Sequence, residues 1–202
     1  MNKKSYHHGE LRGALIQAAL NMLEQEGPDG LSLRALARAV GVSSMAPYHH
    51  FADRTDLLAA VVTEGFERLQ SRKQDVQAGQ PNVRTALAAG GANYVRFILD
   101  NPNLYRLMRS PEFSDRQRYA ALHQAASAPA KTLLDLMARL LEEHALANPS
   151  PQEGAQLLWA LSHGVGTLAL EGQIPAETAP DLAYQGSLAM VDGWIAGAGA
   201  QP

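Results

Sequence analysis

The chain has 202 residues, 46% of them apolar and none of them cysteine, with a formal net charge of −3. That leaves ample material for a buried core and excludes disulfides, thiolate metal sites and cysteine catalysis. No basic-then-apolar leader opens it, and the longest apolar-leaning run, 154–170, carries Gln156, Ser162 and His163. It falls short of the roughly 20 apolar residues of a membrane span, so a cytoplasmic protein without a membrane partner is expected.

Charge is distributed unevenly: residues 1–74 hold nine Lys/Arg against eight Asp/Glu, and residues 75–202 hold eight against twelve. The sense of the asymmetry suits a nucleic-acid partner at the N-terminal end, but the excess is small. The opening residues carry Lys3, Lys4, His7 and His8, either a solvated terminus or a basic arm for phosphates. Adjacent histidines on a helix point about 100° apart and no third ligand stands nearby, so no metal site is expected. No cofactor is implied.

From Gly9 to Glu26, Leu11, Leu15, Ala18, Met22 and Leu23 recur at three and four, one face of a helix stopped by Gly27 and Pro28. Ser32 is a natural N-cap for a second helix whose inward face is Leu33, Leu36, Ala37 and Val40. Gly41 supplies a sharp turn, Val42 plugs back under the pair, and Ser43 caps a third helix that runs to about His50, with Phe51 anchoring its end. Pro47 is costly inside a helix, but with Ser43 as cap it sits at the edge of the first turn, where most amides have no intrahelical partner. Asp53 caps a fourth helix striped with Leu57, Leu58, Val61, Val62, Phe66 and Leu69. The breakers around 75–82 mark a boundary. Beyond it every segment reads helical: 83–100, 103–109, 116–147 with a break at Pro129, 151–170 and 180–198. No alternating strand pattern occurs, so the fold class is all-α. Its expected organisation is a helix-turn-helix module over 1–54, a connecting helix over 55–74 and a larger helical domain over 75–202.

Two helices crossing at a glycine turn let the second enter a major groove while the first lies over the backbone. Serines at the start of the second present hydroxyls and free amides to phosphate, and Arg34 on the first reaches phosphate or a guanine edge. Tyr48 and His49 take the exposed side. Each of these residues taken singly is also an ordinary surface or half-buried side chain; the arrangement distinguishes them.

The run from Leu31 to Leu58 resembles the N-terminal domain of the TetR family of bacterial transcriptional regulators. The matching residues are Leu31, Ser32, Leu33, Arg34, Ala37, Gly41-Val42-Ser43, Tyr48-His49-His50-Phe51 and Arg54. The lead-in Tyr6-His7-His8-Gly9 and Ala46-Pro47-Tyr48 resemble one branch of it. Arg54 replaces the usual lysine with charge kept, and Pro47 replaces a commoner leucine. The resemblance implies phosphate contacts from Ser43, Tyr48, His50 and Arg54, and base or phosphate contacts from Arg34, Ser44, Met45 and His49.

In the C-terminal part, Trp159 to Gly164 resembles the Trp-x3-His-Gly signature of one C-terminal domain type of the family. Trp159 and His163 are four apart and share a helix face, which is either a wall gripping a ligand or a core tryptophan beside a hydrogen-bonded histidine. Gly164 and Gly166 are tolerable if another helix packs closely against them. The larger candidates for an effector pocket are Tyr94, Phe97, Tyr105, Met108, Met137, Trp159 and His163, though such residues at helical spacing more often fill core. Leu157, Leu161, Val165 and Leu168 form one apolar stripe, and Tyr184, Leu188, Val191 and Ile195 another. Two such helices from each subunit make a four-helix interface, the homodimer that the resemblance implies. One short recognition helix offers few contacts, whereas two spaced about 34 Å apart read both halves of a palindrome.

The expected function is a dimeric repressor that binds a double-stranded operator and is released by a small-molecule effector. The rivals are an activator or effector-independent regulator and, more distantly, an all-helical enzyme or carrier using His163 with Glu171 or His123. Nothing in the sequence sets a nucleophile beside these, so no enzyme is expected.

Overall fold

The computed structural model describes residues 8–198; Lys3, Lys4 and His7 of the basic opening lie outside them, and His8 is the first residue of α1. Eight α-helices and three short 3-10 turns make up the described residues, with no strand among them. No helix among them is long and apolar enough to cross a membrane. The chain divides into two compact units, one from Met1–Phe66 and Pro102–Gln124, the other from Glu67–Asn101 and Ala125–Pro202.

In the first unit, α1 (His8–Glu26) buries Leu15, Ile16, Ala19, Leu20 and Leu23. Of the predicted face Leu15 and Leu23 are buried and Leu11, Ala18 and Met22 only half-buried, so the helix is turned toward Ile16 and Leu20, and Gly27 ends it at φ 75°. The next helix, α2 (Leu33–Val40), buries Leu33, Leu36 and Ala37. The first half of α3 (Arg54–Ala78) adds Leu57, Leu58, Val61 and Val62 to this core. The short α5 (Pro102–Met108) packs against α1. There Glu24 accepts from the Leu104 amide at 2.8 Å and Asn103 Nδ2 donates to the Leu23 carbonyl at 3.1 Å, so the free amides at the start of α5 find a partner on α1.

The second unit is built on α4 (Val83–Asp100), which packs on α7 (Pro151–Leu170) and α8 (Ala179–Ala198). Gly166 shows why a glycine survives inside α7: a Cβ there would lie 2.6 Å from Ile98 Cδ1 of α4. Gly164 faces open space instead. One core cluster joins Val83, Leu87, Met137, Leu140, Leu158 and Val191, and a second joins Val95, Val165, Ala169, Ala179 and Ala183.

Three expectations are corrected. α6 (Ala120–Glu143) begins later than predicted and passes through Pro129 without a break. Beyond the proline, Met137, Leu140 and Leu141 are buried and hold it in place, and that burial outweighs one missing amide bond. Secondly, α3 runs on to Ala78, into the stretch of breakers at 75–82, and leaves a short loop before Asn82 caps α4. The third correction concerns the recognition helix.

Candidate functional site

The helix-turn-helix is assembled from local rules. Ser32 caps α2, its hydroxyl accepting from the Ala35 amide at 3.1 Å. Gly41 ends it in the left-handed region, φ 76° and ψ 34°, and the Val42 amide reaches back to the Ala37 carbonyl at 2.9 Å, the six-to-one closure that favours glycine at this position.

Beyond Gly41 the predicted third α-helix does not form. Residues 46–49 make a 3-10 turn, preceded by Met45 rather than capped by Ser43. Three of its bonds span three residues, Ala46 to the Ser43 carbonyl, Tyr48 to Met45 and His50 to Pro47, and the Phe51 amide closes the turn on the Pro47 carbonyl across four. Pro47 accounts for this, since it occupies one of the first two positions, where an absent amide costs little, and its ring is buried. Val42, expected beneath the pair, is half-buried; Pro47 and Phe51 are the buried residues of this segment. Arg12 of α1 lies over the Phe51 ring at 5.5 Å.

This burial turns the polar residues outward. Ser43, Ser44 and His49 are exposed, Met45 is 62% and Tyr48 42% exposed, and His50 is half-buried with its ring 6.5 Å from Phe51. Arg34 is exposed on α2, and so is Arg38 one turn on. The sequence reading did not single out Arg38, although its spacing of four from Arg34 puts both on one face. Arg54 is engaged elsewhere: its Nε donates to the Leu31 carbonyl at 3.0 Å and Nη2 to that of Pro28 at 2.5 Å. It ties the start of α3 to the entry of α2.

Asp53 caps α3 through the Asp56 amide at 2.8 Å. Arg118 bridges Asp53 at 3.0 Å and Asp56 at 2.9 Å. The Asp56 amide, and after it Arg118, hold the Asp53 carboxyl below its usual value. Thr55 donates to Glu112 at 3.2 Å, and Phe113 meets Tyr119 edge-on, so the segment after α5 is clipped to the first turn of α3.

In the second unit, three of the predicted pocket residues meet. Tyr94 Oη lies 3.2 Å from His163 Nδ1, and the Trp159 ring is 5.1 Å from that of His163, with Trp159 45% exposed. Phe97 is fully buried on α4, and Met137 fills the space beside Gly154. Tyr105 and Met108 belong to the first unit, where Met108 lies against Gly65. Of the two apolar stripes, Leu157 and Leu168 are exposed, Leu161 rests on Gly186, Tyr184, Leu188 and Ile195 are half-buried, and Val165 and Val191 lie in the chain's own core. Leu182, which belongs to neither predicted stripe, is 50% exposed.

Residues 15–61 match the family described as bacterial regulatory proteins, tetR family, and residues 87–191, just over half the chain, match the tetracyclin repressor-like, C-terminal domain. The chain belongs to the TetR family. It is 26% identical over 162 residues to an HTH-type transcriptional regulator of Mycobacterium tuberculosis, covering 80% of this chain and 71% of that one. A Rhodococcus sp. RHA1 protein of unknown function superposes with a TM-score of 0.82 at 30% identity, over 96% of this chain and 100% of that chain. A TetR/AcrR-family regulator from Thermobifida fusca shares the fold, with a TM-score of 0.67 at 21% identity over 88% and 96%. This TetR-family chain is a transcriptional regulator of the helix-turn-helix type.

Proposed function

We propose that this regulator is a cytoplasmic homodimeric repressor that binds a palindromic operator and leaves it when a small-molecule effector binds. The observation that carries the DNA contact is the outward display of Ser43, Ser44, Met45, Tyr48 and His49 over buried Pro47 and Phe51. Hydroxyls and free amides there meet phosphate, while Arg34 and Arg38 extend the contact along α2. Arg54 acts as a brace for α2 in this reading. We assign the DNA-binding module to residues 1–54, a connecting helix to 55–74 and effector binding and dimerisation to 75–202, with a C-terminal domain of the Trp-x3-His-Gly type.

Fluorescence anisotropy with DNA from upstream of its own gene, across a salt series, tests this. Nanomolar binding that weakens steeply as salt rises is the expected result. A folded dimer that binds no upstream segment would sink the reading.

A further inference from the structure

Inside the second unit, α3 presents a face that an amphipathic helix would make apolar. Gln70, Lys73 and Gln77 stand three and four apart and form one stripe. Lys73 is only 8% exposed, and its Nζ donates to the Pro129 carbonyl of α6 at 2.6 Å. No carboxylate among the described residues pairs with it. Gln70 Nε2 donates to Thr132 at 2.9 Å, but its Oε1 is buried without a partner. Gln77 Nε2 and, on α4, Asn93 Nδ2 are buried donors that nothing accepts from.

Gly90 of α4 makes the arrangement fit, because a Cβ there would stand 2.9 Å from Gln77 Nε2 and 3.7 Å from Lys73 Cε. An ammonium has three donors, and here one is used. A buried cation without a counter-charge and amide donors without acceptors each work against folding. What they share is an appetite for a negatively charged acceptor.

We propose that Lys73 is the anchor for an effector carrying a single carboxylate on an apolar body, with the Gln77 amide as second donor. One cation balances one charge; a phosphate dianion would call for a second, and none of Gln70, Gln77 and Asn93 supplies it. Leu87, three residues before Gly90 on α4, belongs with Met137 and Leu140 to an apolar core cluster of the same unit, the surroundings that the body of such a molecule would meet. Burial lowers the Lys73 pKa to about 8, so at neutral pH the ammonium is still mostly charged. Because α3 runs unbroken from Arg54 to Ala78, an anion at Lys73 acts on the helix that begins beside the recognition turn. The inference rests on the effector-release reading of the regulator.

Calorimetric titration of the full-length protein with hexanoate, decanoate and phenylacetate, each beside its primary amide, tests it, together with operator release by the same compounds. At least one acid should bind ten times or more tighter than its amide, and Lys73→Met should bring the acid down to the amide's level. With lysine labelled for NMR, the Lys73 Nζ titration should move upward when that acid is bound. Equal binding of acid and amide, acid binding unchanged in Lys73→Met, or no binding by any acid overturns the anchor. Acids that bind through Lys73 without releasing the operator support the anchor and defeat the effector-release reading. Neutral compounds that release the operator while no acid binds do the reverse.

Discussion

Tyr48 and Lys73 carry opposite kinds of consequence. Tyr48 is 42% exposed, so Tyr48→Phe leaves the fold alone and removes one hydroxyl from the surface assigned to phosphate. A hydrogen bond to a charged group is worth about 1.5–3 kcal/mol, and operator affinity should fall roughly tenfold or more in anisotropy titrations with the melting temperature unchanged. Unchanged affinity would remove Tyr48 from the interface. Lys73 is costly to the folded chain. Its pKa falls from 10.5 to about 8 on burial, so the unfolded chain holds that proton more tightly and protonation favours unfolding. The full penalty, about 3 kcal/mol, applies below pH 8 and is relieved as pH rises from there toward 10.5. Lys73→Met should therefore raise stability at pH 7 by about 2–3 kcal/mol in denaturant titrations and flatten the rise in stability above pH 8. A destabilised variant would mean that the Pro129 contact outweighs desolvation.

At the level of the element, α2 depends on its two ends. Ser32→Ala removes the acceptor for the Ala35 amide, and Gly41→Ala forces a Cβ into the left-handed region; each should cost about 1 kcal/mol. Losses in the double variant should add, since the ends share no partner; a single loss much below half a kcal/mol would mean that packing of Leu33 and Leu36 alone fixes the helix. These ends were legible in the sequence because caps and glycine turns are local chemistry. The recognition element was legible in place but not in type, because Pro47 with four residues to work in selects three-residue bonding. The continuity of α6 was hidden since a proline's cost is local while the burial that outweighs it is tertiary. Buried Lys73 was hidden for a similar reason: a lysine on a helix is ordinarily solvated. Nor did periodicity separate Val165 and Val191 from Leu157 and Leu168. α7 and α8 are apolar on more than one face, so a stripe alone does not say whether it meets its own core or solvent.

For the whole molecule, in the proposed homodimer, that distinction decides where a second copy docks. Leu157, Leu161, Gly164 and Leu168 succeed one another by four, three and four along α7, and Leu157, Leu168 and the α8 residue Leu182 stay exposed in the single chain. A Cβ at Gly164 would meet no neighbouring element within 4 Å, which leaves room for close approach by a partner helix. In a two-fold interface every side chain occurs twice, so Leu157→Glu with Leu168→Glu removes four leucines from contact. At about 2 kcal/mol for each, the loss is about 8 kcal/mol, the free energy of a micromolar association. Sedimentation velocity at micromolar concentration should then show a monomer with a near-normal melting curve, since neither side chain belongs to the chain's own core. Operator affinity should collapse with it, because each monomer keeps one recognition turn and the module's small charge excess gives little non-specific hold. An intact dimer would move the interface elsewhere. A monomer that still binds the operator tightly would instead break the link between symmetry and DNA recognition.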